Sequence, residues 1–244
     1  MFITSEMPKS ISAEAYRSLR TSIKFSSVDK PIKTIVVTSS IPGEGKSTIS
    51  GNLAITLSQS GARVLLIDCD LRKPSIHKKF RVLNDLGLTD ILVDKCSLKD
   101  VIKKIDEYLF MITAGTIPPN PSEIVGSNSM EDLIKELSLS FDYIVMDTPP
   151  VIPVTDPLLL AAKSDATIIV VRARKTKEKI IRQTYDELIK VNSNIIGSIL
   201  NDSETKTNNS YYEYYAEEDK WSRNKRRISK KLKNKESIRG KYGY

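Results

Sequence analysis

The stretch Ser40-Ile41-Pro42-Gly43-Glu44-Gly45-Lys46-Ser47-Thr48 stands between an apolar run and a helical pattern. Gly43 and Gly45 allow a curled backbone whose successive N–H groups, from Glu44 to Thr48, face a phosphate, and the opening helix adds its dipole. Lys46 then reaches β- and γ-phosphates, and the Ser47 hydroxyl is placed to ligate Mg²⁺. Ser40 occupies the first glycine position of G-x-x-x-x-G-K-[ST], and the strand before and helix after compensate for that departure. Two carboxylates end the next apolar run, in Val64-Leu65-Leu66-Ile67-Asp68-Cys69-Asp70-Leu71-Arg72. Side chains two apart share one face of an extended chain. One of Asp68 and Asp70 can therefore sit near the Mg²⁺ shell while the other accepts a proton, and the spacing does not say which. A turn cap is the plainer reading of Asp70. Asp147 closes a third apolar run, the arrangement in which a strand-terminal acid positions Mg²⁺ directly or through water. One lysine, one hydroxyl and three acids around a phosphate cradle are more than nucleotide binding alone needs.

These groups work only if strands bring them to one edge. Strand-like runs cover Thr34–Ser39, Arg63–Asp68, Leu109–Thr113, Tyr143–Asp147, Ala166–Arg172 and Ile195–Asn201. Helical patterns cover Ala13–Phe25, Lys46–Ser60, Ser122–Leu139, Asp156–Lys163 and Thr176–Val191, with a broken region from Pro74 to Ile105. Continuous β-branched strands alternating with helices predict an α/β fold: a doubly wound, mainly parallel sheet with helices on both faces. Ligands of such sheets bind at the carboxyl ends of the strands, where the acids stand. The predicted divisions are an N-terminal helical segment (1–30), a P-loop domain (31–202) and a flexible tail (203–244).

The tail has its own chemistry. Tyr211-Tyr212-Glu213-Tyr214-Tyr215 places four phosphoryl-accepting hydroxyls in a polar stretch that cannot build a core. Most of the net charge of +8 also lies there, because residues 203–244 carry 12 Lys and Arg against 6 Asp and Glu. Trp221–Tyr244 holds 10 of those bases and 1 acid, and Trp221, Ile228 and Leu232 recur as an apolar stripe. An anionic membrane surface is one partner for such a segment, and a solvated tail is the plainer reading. Four phosphotyrosines would add about −6 to −8 charges and nearly cancel it. Elsewhere, no apolar run reaches the length of a membrane span, and the opening Met1-Phe2-Ile3-Thr4-Ser5-Glu6 lacks a signal-peptide pattern. Cys69 and Cys96 form no disulfide framework or metal pattern. A cytoplasmic location is expected.

In these motifs the chain resembles the bacterial tyrosine kinases (BY-kinases), in their detached cytoplasmic form of the CpsD/CapB type. The residues that carry the resemblance are Gly43–Thr48, Asp68-Cys69-Asp70-Leu71-Arg72, Asp147, Tyr211–Tyr215, the stretch Gly115–Pro121 and Glu14-Ala15-Tyr16-Arg17-Ser18-Leu19-Arg20. The last matches the family's E-x-x-R-x-x-R motif, which implies ring-like self-association through Glu14, Arg17 and Arg20. On a helix that spacing steps by about −60° each time, a charged stripe that also suits an ordinary solvated face.

The resemblance further implies Asp68 as the base toward the incoming tyrosine hydroxyl. It implies Ser47, Asp70 and Asp147 as Mg²⁺ ligands and Lys46 as the group that stabilises transferred charge. Tyr211, Tyr212, Tyr214 and Tyr215 would be phosphorylated with ATP by an adjacent copy. From Asn201 to Tyr211 a flexible coil spans on the order of 17 Å, enough to sample nearby sites. Arg72 either offsets phosphate charge or anchors its loop. The implied setting is capsular or exopolysaccharide synthesis at the inner face of the cell membrane. Its partners there are a transmembrane activator of the polysaccharide co-polymerase type and a cognate phosphotyrosine phosphatase. Nucleic acid is not an expected partner. A MinD/ParA-like ATPase that positions cargo is the competing reading, but it wants a lysine where Ile41 stands and gives the tyrosines no purpose. Trp221–Tyr244 lies beyond the point where such relatives generally stop, so no family role extends to it.

Overall fold

Apolar runs become the strands β1 (Thr34–Ser39), β2 (Val64–Asp68), β4 (Leu109–Ile112), β5 (Tyr143–Asp147), β6 (Ala166–Arg172) and β7 (Ile195–Asn201), and the two lysines Lys103–Lys104 form the short strand β3. They form one sheet in the order β3-β4-β2-β5-β1-β6-β7. Every neighbouring pair is parallel except the short edge pair β3–β4. This is a computed structural model, and it describes residues 2–26 and 31–203. The tyrosine cluster and the basic segment of the tail lie outside the described residues.

Alternate strand residues supply two cores because successive side chains leave opposite faces of a sheet. On one face, Val36, Leu65, Ile67, Ile144, Met146 and Ile169 meet the later helices. These include α7 (Pro121–Gly126), α8 (Asn128–Ser140), α9 (Asp156–Ala161) and α10 (Glu178–Lys190). On the other, Ile35, Val37, Leu66, Val145, Ile168 and Val170 pack with Ile49, Leu53 and Leu57 of α3 (Lys46–Ser58). Helix α3 is buried almost all round because α1 (Ile3–Glu6) and α2 (Ile11–Phe25) cover its outer side. Gly51 makes that closeness possible: a Cβ there would stand 2.1 Å from Cε1 of Phe2. Thr4 donates from its N–H and hydroxyl to Asn52 Oδ1 at 3.1 and 2.9 Å, and Arg20 Nη1 donates to the Thr56 carbonyl at 3.0 Å.

The helix expected over residues 122–139 is two helices. Ser127 takes an extended conformation and caps α8, its Oγ accepting from Met130 N–H at 3.2 Å. The broken region 74–105 resolves into α4 (Ile76–Phe80), α5 (Leu88–Leu92), α6 (Leu98–Val101) and β3. No helix among the described residues is long and apolar enough to cross a membrane.

Candidate active site

Helix α3 begins at Lys46 because Gly45 caps it in a left-handed conformation (φ 100°), and Gly43 is left-handed as well (φ 77°). The left-handed backbone strains any other residue at both positions, and a Cβ on Gly45 would also lie 2.1 Å from Asn201 Nδ2. The loop is braced from the ends of β6 and β7. Asn201 Nδ2 donates to the Glu44 carbonyl at 2.8 Å, Lys175 Nζ to the Pro42 carbonyl at 2.8 Å and Arg172 Nη1 to the Gly43 carbonyl at 3.3 Å. Glu44 is fully buried, and its carboxylate accepts from Ile41 N–H at 2.9 Å, Arg172 N–H at 3.1 Å and the Thr176 hydroxyl. Its side chain therefore shapes the loop, leaving the backbone as its contribution to a phosphate cradle. Sequence reasoning missed Arg172, Lys175, Thr176 and Asn201 as supports. The signal lay in β6 standing beside β1 and β7 beside β6, an order that hydrophobic periodicity does not encode.

Strands β2 and β5 are neighbours in register, so Asp68 pairs directly with Asp147 at their carboxyl ends. Both are fully buried. Asp68 Oδ2 accepts from Ser75 N–H and Ile76 N–H at 3.0 Å each, while Oδ1 has only a long contact of 3.3 Å from Asp70 N–H. Burial, and next the Asp147 charge, push the Asp68 carboxyl well above the usual carboxylate range. Burial likewise pushes Asp147 up to about 6, against the Ser47 hydroxyl, the Lys46 charge and the Ser50 hydroxyl. Asp147 Oδ1 accepts from Ser50 Oγ at 2.9 Å, but Oδ2 is buried with no well-formed hydrogen bond. Such an orphaned oxygen calls for a ligand. Lys46 is only 7% exposed, and burial lowers its pKa while Asp147, Asp70 and Glu44 act to raise it. Asp70, more open to solvent, accepts from Lys73 N–H at 3.0 Å.

The loop after Asp70 is tied down on both sides. Arg72 Nε and Nη2 donate to the two oxygens of Asp156 at 2.9 and 3.0 Å, and Nη2 also donates to Ser122 Oγ at 2.9 Å. Ser122 Oγ in turn donates to Asp156 Oδ1 at 2.6 Å. Burial acts to raise the fully buried Asp156 carboxyl, yet hydrogen bonds from Arg72 and Ser122 hold it below its ordinary value. Arg72 is thus the anchor of its loop, the second of the two roles open to it. Helix α4 closes the other side: Ser75 Oγ lies 2.9 Å from Ser47 Oγ, and Lys79 Nζ donates to Thr48 Oγ1 at 3.0 Å.

The stripe on α2 stands apart from these groups. Arg17 Nε donates to Glu14 Oε2 at 2.7 Å and its Nη1 to the Pro8 carbonyl at 2.9 Å, while Arg20 is held by α3. In the Gly115–Pro121 stretch, Thr116 donates from its N–H and hydroxyl to buried Asp90 at 3.1 and 2.8 Å.

A mainly parallel sheet with a glycine-capped phosphate loop at the end of a central strand defines a P-loop nucleotide-binding protein. A family profile described as an AAA domain matches residues 32–200. Tyrosine-protein kinase YwqD of Bacillus subtilis is 39% identical over 213 residues, covering 87% of this chain and 90% of the relative. The kinase domain of Escherichia coli tyrosine kinase ETK matches with a TM-score of 0.82 at 31% identity, over 85% of this chain and 82% of that one. The chimerical protein CapA2B2 matches at 0.78 and 34% identity, over 82% and 88%. The chain belongs to the bacterial tyrosine-protein kinases and is an enzyme of that class.

Proposed function

We propose that this kinase transfers the γ-phosphoryl group of ATP to tyrosine, chiefly to Tyr211, Tyr212, Tyr214 and Tyr215 of an adjacent copy. The observation that carries the reading is the pairing of Asp68 with Asp147 beside Lys46, with Asp147 Oδ2 buried and without a well-formed hydrogen bond. The residues present suit Mg²⁺ with a nucleotide. Ser47, Asp70 and Asp147 would hold the ion, and the backbone from Gly43 to Thr48 would hold the phosphates. The described residues form no cluster of three metal-binding side chains. Mg²⁺ usually keeps several phosphate and water ligands of its own. When bound, Mg²⁺ supplies charge neutralisation and orientation of the phosphoryl group.

Lys46 adds a fixed positive charge where negative charge moves, in a buried setting that strengthens its effect. Asp68 accepts the tyrosine proton as the new O–P bond forms and the bond to ADP breaks. Its raised pKa makes it a better base than an ordinary carboxylate, and Oδ1 is its less occupied oxygen. The two N–H groups on Oδ2 hold the carboxylate in place for that step.

The stripe Glu14, Arg17 and Arg20 would meet a neighbouring copy in a ring and bring its tail to the site. By resemblance, a transmembrane activator of the polysaccharide co-polymerase type recruits the kinase to the inner face of the membrane, where it regulates capsule or exopolysaccharide synthesis. A phosphotyrosine phosphatase resets it, and the basic segment after Trp221 meets the anionic surface. ATP labelling of the full chain with an activator peptide tests the reading. Phosphotyrosine is expected with the unsubstituted chain and is lost with Lys46→Met; no phosphotyrosine, or a signal undiminished by that substitution, refutes it.

A further inference from the structure

From Arg72 to Arg81 the chain carries five cations, Arg72, Lys73, Lys78, Lys79 and Arg81, and no acid. Two are engaged within the fold, Arg72 by Asp156 and Lys79 by Thr48. Lys73, Lys78 and Arg81 are exposed, and no carboxylate among the described residues pairs with them. Within the same stretch the pKa of His77 is lowered by burial and then by the Lys78 and Lys103 charges, so the local field is positive. The stretch is also fixed to the acids of the site. Lys73 N–H binds Asp70, and Ser75 and Ile76 N–H bind Asp68. Lys78 and Arg81 follow Ser75 by three and six residues, about 5 and 9 Å along a helical path.

The acceptor segment has the opposite pattern. Thr207–Asp219 contains Glu213, Glu217, Glu218 and Asp219 and no Lys or Arg. With Tyr215 at Asp68, the acids two to four residues further on reach about 7–14 Å along an extended chain. That span overlaps the one covered by Lys78 and Arg81.

We propose that Lys73, Lys78 and Arg81 form the acceptor-docking rim of this kinase and bind the acidic tyrosine segment, Thr207–Asp219, of a second copy. The proposal rests on the kinase reading above and names the surface that selects its substrate. Each exposed pair contributes about 1.4- to 5-fold in affinity, so the rim acts on acceptor binding and not on the transfer step. Lys78 and Arg81, which touch none of the nucleotide-loop residues, are the positions to change.

The test measures phosphorylation of a full-length Lys46→Met acceptor copy by full-length kinase, with and without Lys78→Glu and Arg81→Glu. The substitutions are expected to raise KM for the acceptor about tenfold. They should leave kcat and KM for ATP unchanged, and an acceptor carrying Glu217→Lys and Glu218→Lys should restore the rate. That charge-swapped rescue also shows that the substituted kinase is folded. In about 1 M salt, where the screening length is near 3 Å, the two kinases should converge. An unchanged acceptor KM, a rise in KM for ATP in its place, or failure of the rescue overturns the docking rim alone. No labelling even by the unsubstituted kinase overturns the kinase reading and the rim with it.

Discussion

Burial and charge act in opposite directions on Asp147. Its full burial pushes the carboxyl up to about 6, from an ordinary 3.8, while Ser47, Lys46 and Ser50 pull back. A raised acid pKa means that the folded chain binds the proton more tightly than the unfolded chain does. Stability therefore falls as pH rises from about 4 to about 6 and stays lower above that range. Asp147→Asn keeps an acceptor for Ser50 and removes the ionisation cost. It should stabilise the ligand-free protein by on the order of 1–3 kcal/mol at pH 7.5, a rise of several degrees in Tm, and by almost nothing at pH 4. Kinase activity should be lost in the same variant. Thermal scans at the two pH values check this, and an equal or lower Tm at pH 7.5 contradicts it. Lys46, Asp68, Asp70 and Asp147 were legible in the sequence because glycine spacing and strand-terminal acids are local signals. The carboxylate of Glu44 was not, since its partners Arg172 and Thr176 stand about 130 residues away in the chain.

At the scale of elements, the strands were legible because a sheet covered on both faces demands continuous apolar β-branched runs. Helix α1 and strand β3, four and two residues long, are too short to show a period. The break between α7 and α8 depends on one serine choosing to cap instead of to continue a helix. The link from the Asp70–Arg72 loop to α7 and α9 was not legible either, because Asp156 lies 84 residues from Arg72. Arg72→Ala leaves Asp156 buried with its charge and with Ser122 as its remaining side-chain hydrogen-bond partner. The expected cost is about 3 kcal/mol, as for breaking one side of a buried ion pair. Adding Asp156→Asn should recover part of it, and urea unfolding of the three chains measures both effects. A loss below about 1 kcal/mol for Arg72→Ala would show that the pair does not hold these elements together.

For the whole molecule, one folded body carries the nucleotide loop and the acids, and one chain end carries the tyrosine cluster and most of the net charge. The proposed transfer to a neighbouring copy is tested by separating the giving role from the receiving role, and two variants do so. A chain with Tyr211, Tyr212, Tyr214 and Tyr215 all changed to Phe keeps Lys46 and Asp68 and has no acceptor cluster. A Lys46→Met chain keeps the cluster and cannot transfer. The most direct measurement mixes these two full-length chains with MgATP and the activator peptide and locates phosphotyrosine by mass spectrometry. The account predicts negligible labelling of each chain alone, and phosphate on Tyr211–Tyr215 of the Lys46→Met copy in the mixture. An unlabelled Lys46→Met copy in that mixture, or label on that copy when it is alone, would contradict it.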